Sequence, residues 1–287
     1  MALRSGFFIA VIVGSALLSA LVPAFAADPS AVAAPAVKPV EEGWIVTLDA
    51  NVSLGSDYPG ASTRHVQYLP GLSFRRAGEK AGFSSPDDGL DLAVFDAGWL
   101  KAGPVAKLMG SRRSNSNPEL IGLRQVDRTL EAGAFVEYWP MENLRARVEV
   151  RQGVSGHRGL LATLATDVVV PIDKLTLSGG PRMNFGNGQF VREYFSITPA
   201  QALANGRVTP FDARGGLYSI GALSAASYEF STTWTGTVWG AYQRLVGDAG
   251  RSPIPRVLGS RNEGSFGLTI SYSFNTKGFL GCNTKGF

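Results

Sequence analysis

The sequence has little of what disulfide-stapled or metal-dependent proteins need. Its 287 residues include one cysteine, Cys282, and two histidines, His65 and His157. A single thiol forms no intrachain disulfide, so the fold must hold without one. No CxxC, HExxH or P-loop pattern is present, so the expectation is no metal and no cofactor. Ser155 lies near His157 in a Gly-rich turn, but a hydrolase needs a nucleophile, a base and a group that orients the base; the reading is a turn and no enzyme. Charged residues make up 17%, fewer than in an average soluble chain, and the net charge is only +4 without a basic run. Nothing therefore calls for nucleic acid. From Gly43 onward there is no run of about 18 apolar residues, which excludes a spanning helix there.

The first residues do carry an apolar run. Arg4 precedes "GFFIAVIVGSALLSALV", and Ala24-Phe25-Ala26 fits a cleavage site, so residues 1–26 are expected to be a signal peptide. The alternative is a permanent anchor, but Pro23 and small residues end the run in the signal-peptide manner. Residues 27–42, rich in Ala and Pro, are expected as a flexible periplasmic lead-in.

What the chain has in quantity is glycine, 35 residues, and period-two patterning. In "WIVTLDANVSL" Trp44, Val46, Leu48, Ala50, Val52 and Leu54 face one way, and Thr47, Asp49, Asn51 and Ser53 the other. "NLRARVEV" and "LTLSGGPRMNF" alternate likewise, so each segment is a strand with one apolar and one polar face. A soluble sandwich would bury the apolar faces together; a transmembrane barrel would turn them to lipid. Strands of about ten residues or more match a tilted membrane crossing. Aromatics such as Trp44, Tyr138, Phe185, Tyr228, Phe230 and Trp234 end the apolar faces, as interfacial girdles do. Connections also alternate between tight and long. The expected fold is an all-β, antiparallel up-and-down outer-membrane barrel over residues 43–274, with both termini periplasmic. Strands are expected near 43–54, 66–76, 89–96, 102–110, 128–139, 143–154, 159–170, 175–185, 215–230, 234–246 and 264–274. Closure with both ends on one side needs an even number. A short strand at Ala81–Ser84 would supply the twelfth and leave "PDDG" as an external loop; ten strands is the fallback. The acids of "DDGLD" (Asp87–Asp91) read as solvated loop residues, with divalent cations or lipopolysaccharide as the alternative ligands.

Centring a turn near Met141 pairs Tyr138 with Leu144, Val136 with Ala146 and Ala134 with Val148, and sets Glu137 opposite Arg145 and Glu131 opposite Arg151. Cross-strand opposite charges contribute roughly 0.2–1 kcal/mol each. The expectation is a charged ladder inside the barrel built from Glu131, Glu137, Arg145, Arg147, Glu149 and Arg151, extended by Asp167 and Arg182. It is either a structural plug or a selective constriction for a small charged solute.

"GPRMNFGNGQFVREYFSITPAQALANG" (180–206), "QRLVGDAGRSPIPRVLGSRNEGSFGLTISYSF" (243–274) and "GSDYPG" (55–60) resemble hallmark segments of the MipA/OmpV family. The resemblance implies an outer-membrane barrel that acts as a scaffold joining a lytic murein transglycosylase to a penicillin-binding protein, or else a porin-like channel. It implies no catalytic residues. "SITPAQALANG" reads as a short helix in an external lid loop, with Thr198 as N-cap, Pro199 at the first position and Gly206 at the stop. Tyr194 and Phe195 are expected to pack this loop over the barrel mouth. Partners follow from the setting: outer-membrane lipid and lipopolysaccharide, and the barrel assembly machinery. That machinery would read the aromatic end of the last strand, Tyr272 and Phe274. Residues 275–287, where NTKGF occurs twice, are expected to be a disordered periplasmic tail.

Overall fold

Alternation decides which way the wall faces. On the strand Leu144–Gly153 the buried side chains are Arg145, Arg147, Glu149 and Arg151, while Val148 and Val150 are exposed. A soluble sandwich buries the opposite set. The same inversion recurs on Thr129–Met141, where Glu131 and Glu137 are buried and Leu130, Val136 and Tyr138 are exposed. Polar residues therefore face a lumen and apolar residues face outward, the arrangement of a membrane barrel.

The computed structural model describes residues 43–79 and 81–278. Its twelve strands are β1 (Trp44–Ser56), β2 (Arg64–Arg76), β3 (Leu90–Asp91), β4 (Phe95–Asp96), β5 (Leu100–Met109), β6 (Thr129–Met141), β7 (Leu144–Gly153), β8 (Leu160–Ile172), β9 (Leu175–Gly186), β10 (Gly216–Glu229), β11 (Trp234–Leu245) and β12 (Asn262–Asn275). They form one antiparallel, nearly closed sheet in the order β2-β1-β12-β11-β10-β9-β8-β7-β6-β5-β3, with β4 also on β5. The last strand pairs with the first, Val52 opposite Leu268 and Leu48 opposite Tyr272.

Tight connections gather at one end. Two residues separate β8 from β9, and Asp173 there takes a left-handed φ of 52°, which a short polar side chain tolerates. Exposed aromatics ring this end: Trp44, Trp99, Tyr138, Tyr228, Trp234 and Tyr272. Trp234 and Tyr272 lie 4.7 Å apart, and Tyr272 stacks on Phe274 at 5.8 Å. Apart from the connection between β2 and β3, the long connections lie at the opposite end and build a lid. At the short-turn end β12 continues into one 3-10 turn, Thr276–Gly278, whose Thr276 hydroxyl accepts from the Trp44 N–H at 3.2 Å. The remainder of the expected tail, the signal peptide and the lead-in lie outside the described residues.

The structure corrects the expectation at Ala81–Ser84. That segment is not a strand; the expected 89–96 strand instead appears as two short pieces, β3 and β4, both on β5. Residues 81–89 climb inside the barrel. Just before them, at the short-turn end, the Ala77 N–H donates to Gly43 O at 2.9 Å. Phe83 meets Trp139 edge-on at 6.1 Å, and higher up Asp87 and Asp88 contact lumen arginines. The direction count does require a crossing here, but it runs through the lumen. The wall consequently has a seam: among the described residues β2 has no ladder to β3 or β4.

Substituting Arg for the outward Val148 at mid-wall should destabilise the barrel by about 2–4 kcal/mol. A lowered urea midpoint of the unboiled, fast-migrating form on SDS gels would report it; an unchanged midpoint would mean that this face does not meet lipid.

Candidate functional site

The charge ladder of the lumen is built from four consecutive strands, β6 to β9, because period two places every second residue inside. The register between β6 and β7 differs from the sequence-based one. Glu137 stands opposite Arg147, Tyr138 opposite Ala146 and Val136 opposite Val148, with an irregularity between Tyr138 and Met141. The slip is two residues, so the faces are preserved. The expected ion pairs form across the diagonal: Arg145 Nε donates to Glu137 Oε2 at 2.8 Å and Arg151 Nε to Glu131 Oε2 at 2.9 Å. Long arginine side chains reach a diagonal neighbour as readily as a direct one.

All eight ladder residues meet in one network. Arg145, fully buried, holds Glu137, Asp167 (3.0 Å) and Asp88 (2.6 Å). Arg147 holds Glu137 (3.3 Å), Glu149 (2.9 Å) and Asp91 (2.5 Å), and its guanidinium lies 4.0 Å from the centre of the Phe135 ring. Arg151 bridges Glu131 and Glu149. Arg182 joins Asp167 and Asp87, both at 2.8 Å. The acids of "DDGLD" are thus corrected from solvated loop residues to partners of buried arginines. Sequence reading missed them because their partners lie 56 to 95 positions away. A cavity of only about 10 Å³ remains between Asp87, Asp88, Arg147, Glu149, Thr163 and Ala165.

Above the ladder sits a lid with a hydrophobic core of its own. Helix α1 (Gly188–Phe195) buries Phe190, Val191, Tyr194 and Phe195, and Asn187 caps it by accepting from the Phe190 N–H at 2.9 Å. Helix α2 (Pro199–Asn205) has Thr198 as N-cap in a reciprocal box with Gln201, Pro199 in its first turn and Gly206 left-handed at its end. Helix α3 (Gly247–Arg251) and the turn at Ile254–Leu258 add Ala249, Ile254 and Leu258 to the same cluster, and Tyr58, Leu120 and Leu123 come from two further loops. Side chains stitch these loops together. Ser252 Oγ donates to Phe195 O at 2.7 Å, and Asn205 Nδ2 donates to Ile121 O at 2.7 Å. Buried Arg112 donates to the carbonyls of Tyr194, Arg124 (2.7 Å) and Glu193 (3.2 Å); burial pulls this guanidinium down to about 10.

His157 joins lid to ladder. Its Nδ1 accepts from the Gly159 N–H at 3.2 Å, so Nε2 carries the proton donated to Glu131 at 3.1 Å. The ring packs edge-on against Phe190 (5.2 Å) and Tyr194 (5.8 Å). Ser155 Oγ accepts from the Leu130 N–H at 3.1 Å. Both ring nitrogens of His157 are thereby engaged elsewhere.

A family model described as "MltA-interacting protein MipA" matches residues 39–274. The chain belongs to the MipA family. No curated relative matches it. Among solved structures, an outer-membrane channel from Pseudomonas putida F1 is similar at 11% identity and a TM-score of 0.41, over 84% of this chain and 99% of that one. The KdgM porin (9%, TM-score 0.34, 80% and 99%) and the NanC porin (10%, TM-score 0.35, 79% and 100%) are similar too. This MipA-family chain is a β-barrel whose lumen carries a paired charge network beneath a lid.

Exchanging the charges of one ladder pair, Glu137→Arg with Arg145→Glu, should be at least as damaging as either single change, because position 145 also faces Asp167 and Asp88. The midpoint of heat-modifiability checks this; recovery by the double exchange would mean an isolated pair. In the lid, Phe190→Ala should cost about 3–5 kcal/mol and open the 187–215 loop to protease while the gel shift of the barrel persists. Simultaneous loss of both would mean that lid and wall fold as one unit.

Proposed function

We propose that this barrel is a scaffold of the cell envelope, held in the outer membrane with its short turns and both termini in the periplasm and its lid outside. It gathers peptidoglycan machinery, a murein transglycosylase and a penicillin-binding protein, at the short-turn end. The observation that carries this reading is the filling of one side of the lumen. Four buried arginines, their carboxylates and the 81–89 segment occupy the β5–β9 side, and the lid core caps one mouth. The family description supports the choice of partner, since it names an interaction with MltA. A rigid barrel suits a platform.

The second reading, a narrow channel for small charged solutes, rests on a different face. Inward residues of β1, β11 and β12 are mostly small and polar, among them Thr47, Asn51, Ser53, Thr235, Thr269 and Ser271, with Asp49 and Trp239 as the charged and the large exceptions. They remain partly exposed. This side of the lumen is wetter than the arginine side.

The readings separate in two measurements. A photoreactive residue at Glu142 or Lys174, on the tight turns, should capture a murein transglycosylase in native envelopes, and the purified protein should give no discrete conductance steps in planar bilayers. Regular steps without captured enzyme would replace the scaffold by the channel.

A further inference from the structure

Between helix α1 and the 110–128 loop the lid carries a half-open groove of about 530 Å³, within the size range of small-ligand sites. Its floor is apolar, formed by Ile197, Pro199, Pro210 and Phe211. Two backbone bonds between Ile197 and Phe211, 2.8 and 2.9 Å, hold that floor flat. Its walls carry two guanidiniums, Arg124 and Arg192, with Gln189, Glu193 and Asp212.

The charges in this groove are not paired as they are in the lumen. Every lumen arginine has a carboxylate partner, whereas neither Arg124 nor Arg192 has a side-chain partner among the described residues. Arg192 is held in an unfavourable place. A Cβ added at Gly188 would sit 2.9 Å from Arg192 Nη1, so the guanidinium lies against the first turn of α1. The free N–H groups there already leave partial positive charge. Behind the groove, buried Arg112 donates only to carbonyls, two of them belonging to the wall residues Arg124 and Glu193. Two unpaired guanidiniums thus line the groove, Arg112 lies behind it, and the two acids of the wall, Glu193 and Asp212, make no ion pair with Arg124 or Arg192. The groove is also prebuilt. Arg112 fixes one side, and Asn205, donating to Glu119 O and Ile121 O, fixes the other.

We infer that this groove binds an anionic saccharide. The guanidiniums would take a phosphate or carboxylate, the amide of Gln189 and the carboxylates of Glu193 and Asp212 would meet hydroxyls, and the proline and phenylalanine faces would cover the apolar faces of sugar rings. Two sources share this chemistry: the phosphorylated core of lipopolysaccharide, if the lid faces outward as proposed above, and the glycan of peptidoglycan, if it faces the periplasm.

The experiment is calorimetric titration of the full chain in detergent with four probes: lipid-free phosphorylated core oligosaccharide, a disaccharide–tetrapeptide muropeptide, a neutral glucose oligomer and inorganic phosphate. The expected result is saturable binding of one charged saccharide, weakened at least tenfold by Arg124→Gln with Arg192→Gln, and no binding of the neutral oligomer. Saturation by core oligosaccharide assigns the ligand to the membrane's own outer leaflet; saturation by muropeptide assigns it to the periplasm. The proposal falls if neither charged saccharide saturates, if the neutral oligomer binds as well, if phosphate alone binds as tightly, or if the double variant binds like the parent. The gel shift shows that the variant is folded, and Arg124→Lys with Arg192→Lys, which keeps the charge, should retain intermediate affinity. Capture of transglycosylase at the tight turns is unaffected by any of these changes, so failure here is distinct from failure of the scaffold.

Discussion

The Arg145 guanidinium is the constraint around which the barrel is arranged. It is fully buried and touches three carboxylates. An arginine removed from water is stable only when paired and hydrogen-bonded, and stripping one partner costs more than the pair contributes. Strands β6 to β9 bring four arginines, 145, 147, 151 and 182, against four acids, 131, 137, 149 and 167. Lys107 adds a further cation, donating to Asp87 O at 2.6 Å. The 81–89 segment and β3 then supply Asp87, Asp88 and Asp91, and these explain why a stretch that chain order places in the wall lies inside it.

That placement has a consequence for the wall. Unpaired strand edges are costly in hydrocarbon, where no water replaces the missing partner. The structure limits how much edge the seam leaves. β3 and β4 are two residues each, and β2 carries Pro70, which has no N–H to leave unpaired. Short strands and proline are the usual means of blunting an edge. The seam is thus the cost of giving the buried arginines further carboxylate partners from within the chain.

Much of the wall was legible because lipid on one side and a polar lumen on the other impose strict alternation. From β6 to β12 the strand positions read from sequence lie within a few residues of the observed ones. The β6–β7 register was not legible to the residue, since the irregularity after Tyr138 leaves both faces intact and so produces no break in alternation. The 81–89 segment was illegible for a different reason. It has no period, and its partners are far away in sequence. Helix α1 did leave a signal: Phe190, Val191, Tyr194 and Phe195 recur at helical spacing after a capping Asn187. The lid core as a whole could not be read, because it is assembled from single residues of several loops.

Wall and lid follow opposite rules of burial. In the wall, charge is inside and apolar surface outside; in the lid, Phe190, Tyr194, Phe195 and Ile254 are inside, as in a water-soluble domain. A boundary between two such regimes needs a residue acceptable to both. His157 meets that need. Its ring edges pack on Phe190 and Tyr194, and its Nε2–H satisfies Glu131, the ladder acid nearest the lid. Gly159 permits the contact, since a Cβ there would collide with the backbone of Phe190. An aliphatic residue at 157 would leave Glu131 with Arg151 alone, and a lysine would place a charge against two aromatic rings without an aromatic edge to pack. Imidazole, flat and apolar on its faces with one donor at its tip, fits the joint between a charged lumen and an apolar lid.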